Sequence, residues 1–204
     1  MSSEPLPSAT AAEPGAPPTS ERLLATAAEH FCRKGYAQTT TRELADALGI
    51  RKASLYHHIS NKEELLFAIS MHSLDHILAE VGAAIEAAPP ERRLQALIDA
   101  HVVSAVRERD MHTVMLSEMR ALSERHHDEV VAKRDEYEAM LRTVIAADQE
   151  AGRLRTDIDA KMLTLALLNV LNWTIFWFRP GDDLTPERVA TLLGGIYVEG
   201  AGAG

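Results

Sequence analysis

Five side chains in the stretch TTRELADALGIRKASLYHHISNK, residues 40 to 62, have the chemistry to read a polyanion: Lys52, Ala53, Ser54, Tyr56 and His57. They combine cationic, hydrogen-bonding and small side chains within one helical turn and a half. Such a mixture at a helix N-terminus suits the major groove of DNA, where the first turns of a helix can lie against base edges. Two short helices joined by a glycine turn are needed to present them. Thr40 followed by Glu43 is a capping box that starts the first helix near Thr41, with Leu44, Ala47 and Leu48 as its buried face. Gly49 ends that helix by supplying a left-handed turn, and Leu55 and Ile59 anchor the second helix at i, i+4.

The elements around this block follow from hydrophobic spacing. A helix from about Ser20 to Lys34 places Leu24, Ala27, Ala28 and Phe31 on one face to cover the reading pair. A longer helix is expected after Ser60, whose pairing with Glu63 repeats the capping box, and it runs through Leu66, Ile69, Ile77, Leu78, Val81 and Ile85 to the Pro89-Pro90 stop. At 1.5 Å per residue it spans roughly 40 Å, enough to connect a head to a body. Further helices are expected near 91–108, 110–122, 124–151, 158–178 and 186–199, with Gly152 ending the third, Asp157 capping the fourth and Thr185-Pro186 starting the fifth. No segment after Ser20 alternates as a strand does. The fold class is all-α, with an N-terminal helix-turn-helix domain and a C-terminal helical ligand-binding and dimerisation domain; the divisions are a disordered tail at 1–18, the head at 19–66 and the body at 67–204.

From Arg22 to Ala68 the order FCRKGYAQTT, TRELADALGI, LYHH and NKEEL resembles the N-terminal domain of the TetR family of bacterial transcriptional regulators. Ile59 stands where that family more often has an aromatic residue. By position, the resemblance makes Thr41, Tyr56, His58 and Lys62 phosphate contacts, and Arg42, Lys52, Ala53, Ser54 and His57 candidates for base edges. Phosphate contacts fix register while base contacts carry sequence information. Thr41 and Arg42 on a first helical turn, and Lys62 at the start of the next helix, sit where free N–H groups favour anions. The alternative for His57 and His58 is ordinary surface histidine.

Charge separates the two halves. Residues 19 to 62 hold seven Lys and Arg against four Asp and Glu, whereas the remainder from Glu63 holds fourteen against twenty-four. With an overall net charge of −9, indiscriminate nucleic-acid binding is excluded, and binding confined to a small basic face of two docked copies is expected. The first residues lack the basic flank and apolar core of a secretion signal, so a cytoplasmic location is expected. Cys32, the single cysteine, is expected to be a buried thiol beside Phe31 and leaves no disulfide within one chain.

In the body, MLTLALLNVLNWTIFWF from Met162 to Phe178 is apolar on nearly every side. Asn169, Asn172 and its threonines argue against a bilayer span; burial on one side by the chain's own core and on the other by a second copy is the expectation. Val189, Leu192, Leu193, Ile196 and Tyr197 form a stripe on the last helix, where Gly194 and Gly195 allow close approach, and the two helices read as a dimerisation bundle. A homodimer is also what an operator with two half-sites requires.

A set of inward side chains suggests a cavity for a flexible hydrophobic small molecule: His101, then Met111, Met115 and Met119 at i, i+4, i+8, then Tyr137, Asn169, Trp173 and Trp177. Plain core packing is the alternative for each. The segment NWTIFWFRPGDDLTPERVA resembles the C-terminal signature of a TetR subgroup responding to acyl-coenzyme A thioesters. That resemblance implies an acyl chain or ring among Met115, Met119, Trp173 and Trp177, with Arg120 or Arg179 facing a phosphate. No other cofactor is expected. Two competing functions remain. His72 and His76 flank Asp75 at i, i+4 and could hold a metal in a metal-sensing regulator, although a third ligand is needed. A helical-bundle enzyme is the other, without any HExxH, nucleophile elbow or phosphate-cradling loop to support it. Operator, effector, target genes and the choice between repression and activation are not legible at this level.

Overall fold

The computed structural model describes residues 20–179 and 184–202, and in these every regular element is a helix. The tail at 1–18 and the centre of the RPGDD segment lie outside the described residues. The order is α1 (Ser20–Lys34), α2 (Thr41–Leu48), α3 (Lys52–Leu55), α4 (Lys62–Ala87), α5 (Arg93–Arg107), α6 (Arg109–Ser117), α7 (Glu124–Glu150), α8 (Ala160–Trp177) and α9 (Pro186–Ala201). Short 3-10 turns precede α5 and follow α6, so the expected helix at 110–122 is broken after Ser117.

Two large cores, with a small cluster of Leu74, Met115 and Val130 beside them, divide the described chain. Leu24, Phe31, Leu44, Leu55, Leu66 and Ile69 build the head, while Ile77, Leu97, Ile98, Leu141, Ile145, Leu167 and Leu171 build the body. Helix α4 contributes to both without interruption, so the boundary expected at residue 66 falls inside a continuous helix. Val114 of α6 is buried within the head's core, and α6 packs against both α1 and α4. Head and body therefore share two rigid elements.

Local sequence accounts for most helix ends, with two corrections to caps and one to a buried face. Asn61, one residue later than the expected Ser60, caps α4 by accepting from the Glu64 amide at 2.9 Å. Glu63 is thereby free to reach α7, where its carboxylate accepts from the Ser123 amide at 2.9 Å and lies 2.8 Å from His126 Nδ1. Asp159 caps α8 in place of Asp157, which instead pairs with Arg155 at 2.6 Å. The buried face of α2 includes Ala45 and leaves Ala47 exposed, because the helix is only two turns long and its contact stripe is narrow. Thr185 and Pro186 start α9 as expected, and Gly152 follows α7 with φ 69°.

The α9 stripe splits in two. Val189, Leu193 and Tyr197 pack against the body, whereas Leu192 and Ile196 face outward. Gly194 meets the Gln95 side chain so closely that an added Cβ would lie 2.5 Å from its Oε1, while nothing lies near Gly195. The small residue thus serves the approach of α9 to α5 within one chain. Cys32 is exposed rather than buried, since Phe31 takes the inward position of that turn.

Candidate nucleic-acid interface and effector cavity

The head's reading surface is assembled as its sequence dictates. Thr40 Oγ1 accepts from the Glu43 amide at 3.2 Å and Glu43 Oε2 accepts from the Thr40 amide at 2.8 Å, closing the capping box. Lys34 also binds Glu43, and these contacts hold its carboxyl at about 2. Gly49 adopts φ 70°, ψ 26°, and the Ile50 amide returns to Ala45 O at 3.0 Å. The chain then begins α3, a single α-turn continued by i to i+3 bonds from His57 to Ser54 and from His58 to Leu55. It is shorter than a full recognition helix, with Leu55 and Ile59 pinned beneath it.

Arg42, Lys52, Ala53, Tyr56, His57 and His58 are exposed on this surface, and Ser54 is partly so. Thr41 and Tyr56 share a hydrogen bond of 3.2 Å that ties α3 to the first turn of α2. Lys52 Nζ lies 5.7 Å from the Tyr56 ring centre, leaving its charge outward. Arg42 is only 3.9 Å from Asp46 across an exposed i, i+4 pair, a weak restraint that a phosphate or base edge can displace.

Lys62 is placed differently from the expected phosphate contact. Its ammonium donates to Tyr36 O at 2.7 Å and Thr39 O at 2.9 Å, above the Tyr36 ring at 4.2 Å. Partial burial pushes its pKa down, with Glu118 opposing the shift. The side chain is a clasp on the α1–α2 connection. Lys62→Met is accordingly expected to lower the head's stability by about 1–3 kcal/mol, the usual cost of stranding carbonyls bound to a cation. Thermal unfolding checks this; unchanged stability with weakened DNA binding would return Lys62 to the phosphate set.

The body holds a cavity of about 370 Å³, open at one side, between α4, α6, α7 and α8. Of the expected lining, Met115, Tyr137 and Asn169 are present, joined by Leu74, Ile77, Leu165 and Leu168. His101 lies one layer behind, fully buried and bonded through Nδ1 to the Tyr137 hydroxyl at 2.7 Å. Met111 packs toward the head's core, and Met119, on the turn after α6, accepts a contact from Arg134 at 3.2 Å without lining the cavity. Arg120 is exposed on that same turn. Arg179 donates to Phe176 O at 2.9 Å and Phe178 O at 3.1 Å, closing the end of α8.

Trp173 and Trp177 do not line the cavity; they are 64% and 45% exposed. The physical reason is that α8 is apolar all round, so periodicity does not say which side faces inward. In this structure the inner side carries Leu167, Leu171 and the half-buried Asn172, Asn169 lies at the cavity's exposed edge, and the tryptophans face out with Phe176. Eight of the nine large exposed hydrophobic side chains among the described residues lie on α8 and α9, which concentrates the uncovered apolar surface on these two helices. By length and composition α8 is also apolar enough to cross a membrane, with a third of it buried.

Sequence reading missed His112, Asn172, Arg134, Asp135 and Glu138, all of which line the cavity. His112 lies three residues before Met115 on α6, and Arg134 three before Tyr137 on α7, spacings that put each on the same face. His112 Nδ1 lies 3.2 Å from Ser73 Oγ, and its Nε2 lies 3.2 Å from Asn172 Oδ1. Burial pushes His101 down to about 3 and His112 down to about 4, so both rings are neutral at pH 7. His72 and His76 approach Glu108 at 3.4 and 3.9 Å, with Arg107 3.3 Å from His76. Among the described residues no group of three or more His, Cys, Asp and Glu is arranged to hold a metal.

A head of this geometry, carried on a helical body with an open-mouthed cavity, is matched by known families over most of the chain. Residues 23–69 match the bacterial regulatory proteins of the tetR family, and residues 87–201 match the tetracyclin repressor-like C-terminal domain. The chain belongs to the TetR family. This TetR protein is 30% identical over 185 residues to the transcriptional repressor KstR2 of Mycobacterium tuberculosis, covering 87% of this chain and 92% of the relative. Among solved structures it is similar to the TetR regulator PfmR of Thermus thermophilus, with 35% identity and a TM-score of 0.81 over 87% of this chain and 97% of that one. It is also similar to AibR, solved with isovaleryl coenzyme A and operator DNA, with 29% identity and a TM-score of 0.79 over 86% and 96%. Membership makes the protein a DNA-binding transcriptional regulator and ends the bundle-enzyme alternative.

Proposed function

We propose that the protein is a homodimeric repressor that releases its operator when a hydrophobic small molecule, an acyl-coenzyme A thioester, occupies the cavity of the body. The observation that carries this reading is the position of α6. It presents His112 and Met115 to the cavity and Val114 to the head's core, so a ligand that moves α6 changes the support beneath the reading surface. The likeness to AibR, which was solved bound to isovaleryl coenzyme A, favours the ligand class.

The cavity's size suits the acyl end, inside the range of small-molecule sites. Its mouth offers Arg134 beside Asp135 and Glu138, the last already 3.3 Å from Arg142, so there is no surplus of positive charge and the acyl group must supply most of the affinity. The uncovered face of α8 and α9 takes a second copy, which places two heads on one operator. A cytoplasmic location follows from that role. For coupling, a ligand that prefers the non-binding spacing a hundredfold supplies roughly 2.7 kcal/mol, enough to empty most operators.

Fluorescence anisotropy on the duplex flanking the protein's own gene, at physiological salt, tests the reading. Tight binding released by a member of an acyl-coenzyme A panel is expected. Lys52→Ala should weaken operator binding by about 1–3 kcal/mol while leaving the dimer intact. Binding that no thioester alters would remove the effector class and keep the regulator.

A further inference from the structure

Five polar side chains from five helices converge where the body would otherwise be hydrocarbon: Ser73 of α4, His101 of α5, His112 of α6, Tyr137 of α7 and Asn172 of α8. The His101 and His112 rings meet edge-on, 5.9 Å apart at 86°. All except Asn172 are buried. Removing this many polar groups from water does nothing for the fold that leucines of similar volume would not do better. Their presence at and directly behind the wall of a cavity, which His112, Tyr137 and Asn172 line, points to recognition.

The hydrogen bonds leave open valences on two residues that line the cavity, Asn172 and Tyr137. With Asn172 Oδ1 accepting from His112 Nε2–H, His112 Nδ1 accepts from the Ser73 hydroxyl, and the chain is closed at that end. The Asn172 amide nitrogen retains its hydrogens for a further acceptor, on a residue that lines the cavity. On the other branch, His101 Nε2 is buried without a hydrogen-bond partner, with Asn172 near enough to oppose the downward shift of its pKa. Its Nδ1 faces the Tyr137 hydroxyl, so the tautomer of His101 decides what Tyr137 presents. When Nδ1 carries the proton, the Tyr137 O–H is released to donate to another acceptor; when Nε2 carries it, Tyr137 donates to Nδ1 and presents a lone pair. His101 acts through Tyr137 as a positioning residue.

Resting on the reading of the cavity as the effector site, we infer that Asn172 and Tyr137 select an effector whose buried end carries an uncharged oxygen, a ketone or hydroxyl, over the plain hydrocarbon. A ketone oxygen accepts from the Asn172 amide and the Tyr137 hydroxyl; a hydroxyl uses the Tyr137 lone pair in the other tautomer. The neutral histidines offer no charge to hold a carboxylate at this depth, so an acid function belongs at the Arg134 mouth. A hydrocarbon in the same place strands the wall's polar atoms away from water, and that loss discriminates against it.

The test is isothermal titration of the full chain with two matched pairs, decanoyl-coenzyme A against its 9-oxo analogue and decalin against 2-decalone, so that the preference is read with and without the coenzyme. In the wild type each oxygenated member should bind about tenfold to hundredfold more tightly than its partner. Asn172→Leu and Tyr137→Phe, both close in volume, should bring the members of each pair together while retaining hydrocarbon binding. Leu168→Trp, which fills the cavity, should remove binding of all four. Equal affinities within each pair in the wild type, with Leu168→Trp still abolishing binding, would overturn the oxygen preference and keep the cavity as the effector site. A preference that survives both wall variants would overturn it as well. Binding of none of the four, or binding indifferent to Leu168→Trp, would overturn the cavity reading and this inference together.

Discussion

Trp173→Glu combined with Ile196→Glu is expected to break the proposed dimer into monomers and to remove specific operator binding. Both residues are among the most exposed apolar side chains of the described chain, and they lie on the two helices that carry the uncovered face. In a two-fold interface each substitution appears twice, so four carboxylates would have to be desolvated next to one another, at a cost of several kcal/mol. A monomer keeps one head and can engage only one half-site, and the affinity gained by tethering two heads is lost. Sedimentation velocity reads the mass and anisotropy reads the operator. Because neither residue lines the cavity, effector binding by the monomer should be retained. A dimer that persists in the double variant would place the interface elsewhere.

The second large effect is on stability in mild acid. Burial lowers both His101 and His112 below the ordinary value of 6.5, to about 3 and about 4. Between those values the unfolded chain binds protons that the folded chain refuses, so stability is full above pH 6.5 and falls as pH drops toward 4. By pH 5 each ring should have cost about 2 kcal/mol, a large share of the total stability of a domain. Urea denaturation at pH 7, 6 and 5 measures the loss. The double variant His101→Gln, His112→Gln should be less stable at pH 7, but its stability should decline much less over the same interval. An identical decline in wild type and variant would assign the acid sensitivity to other groups.

The two halves of the molecule differ in how far they could be read in advance. The head is local: the capping box at Thr40, the turn at Gly49 and the anchors Leu55 and Ile59 are set within a few residues of one another, and each is found where its spacing puts it. What failed there was also local, a shift of the α4 cap from Ser60 to Asn61, since two adjacent polar residues can each cap and only the long-range use of Glu63 by Ser123 and His126 chooses between them. Lys62 illustrates the same limit. A cation at a helix start suggests an anion, but the carbonyls of Tyr36 and Thr39, brought over by α1, claimed it first.

Sequence by itself determined the all-helical class, the basic reading surface, the family, and the presence of inward His101, Met115 and Tyr137, because amphipathic period and capping chemistry act over one or two turns. Tertiary structure alone decided the rest. Helix α8 has no polar face to orient it, so only its packing against α5 and α7 could send Asn169 and Asn172 to the cavity and Trp173 and Trp177 to the surface. The polar wall joins residues 73, 101, 112, 137 and 172, which no period relates. Its members meet because five helices bury one core, and hydrogen bonds between side chains so far apart in the chain form only once that burial has fixed their distances.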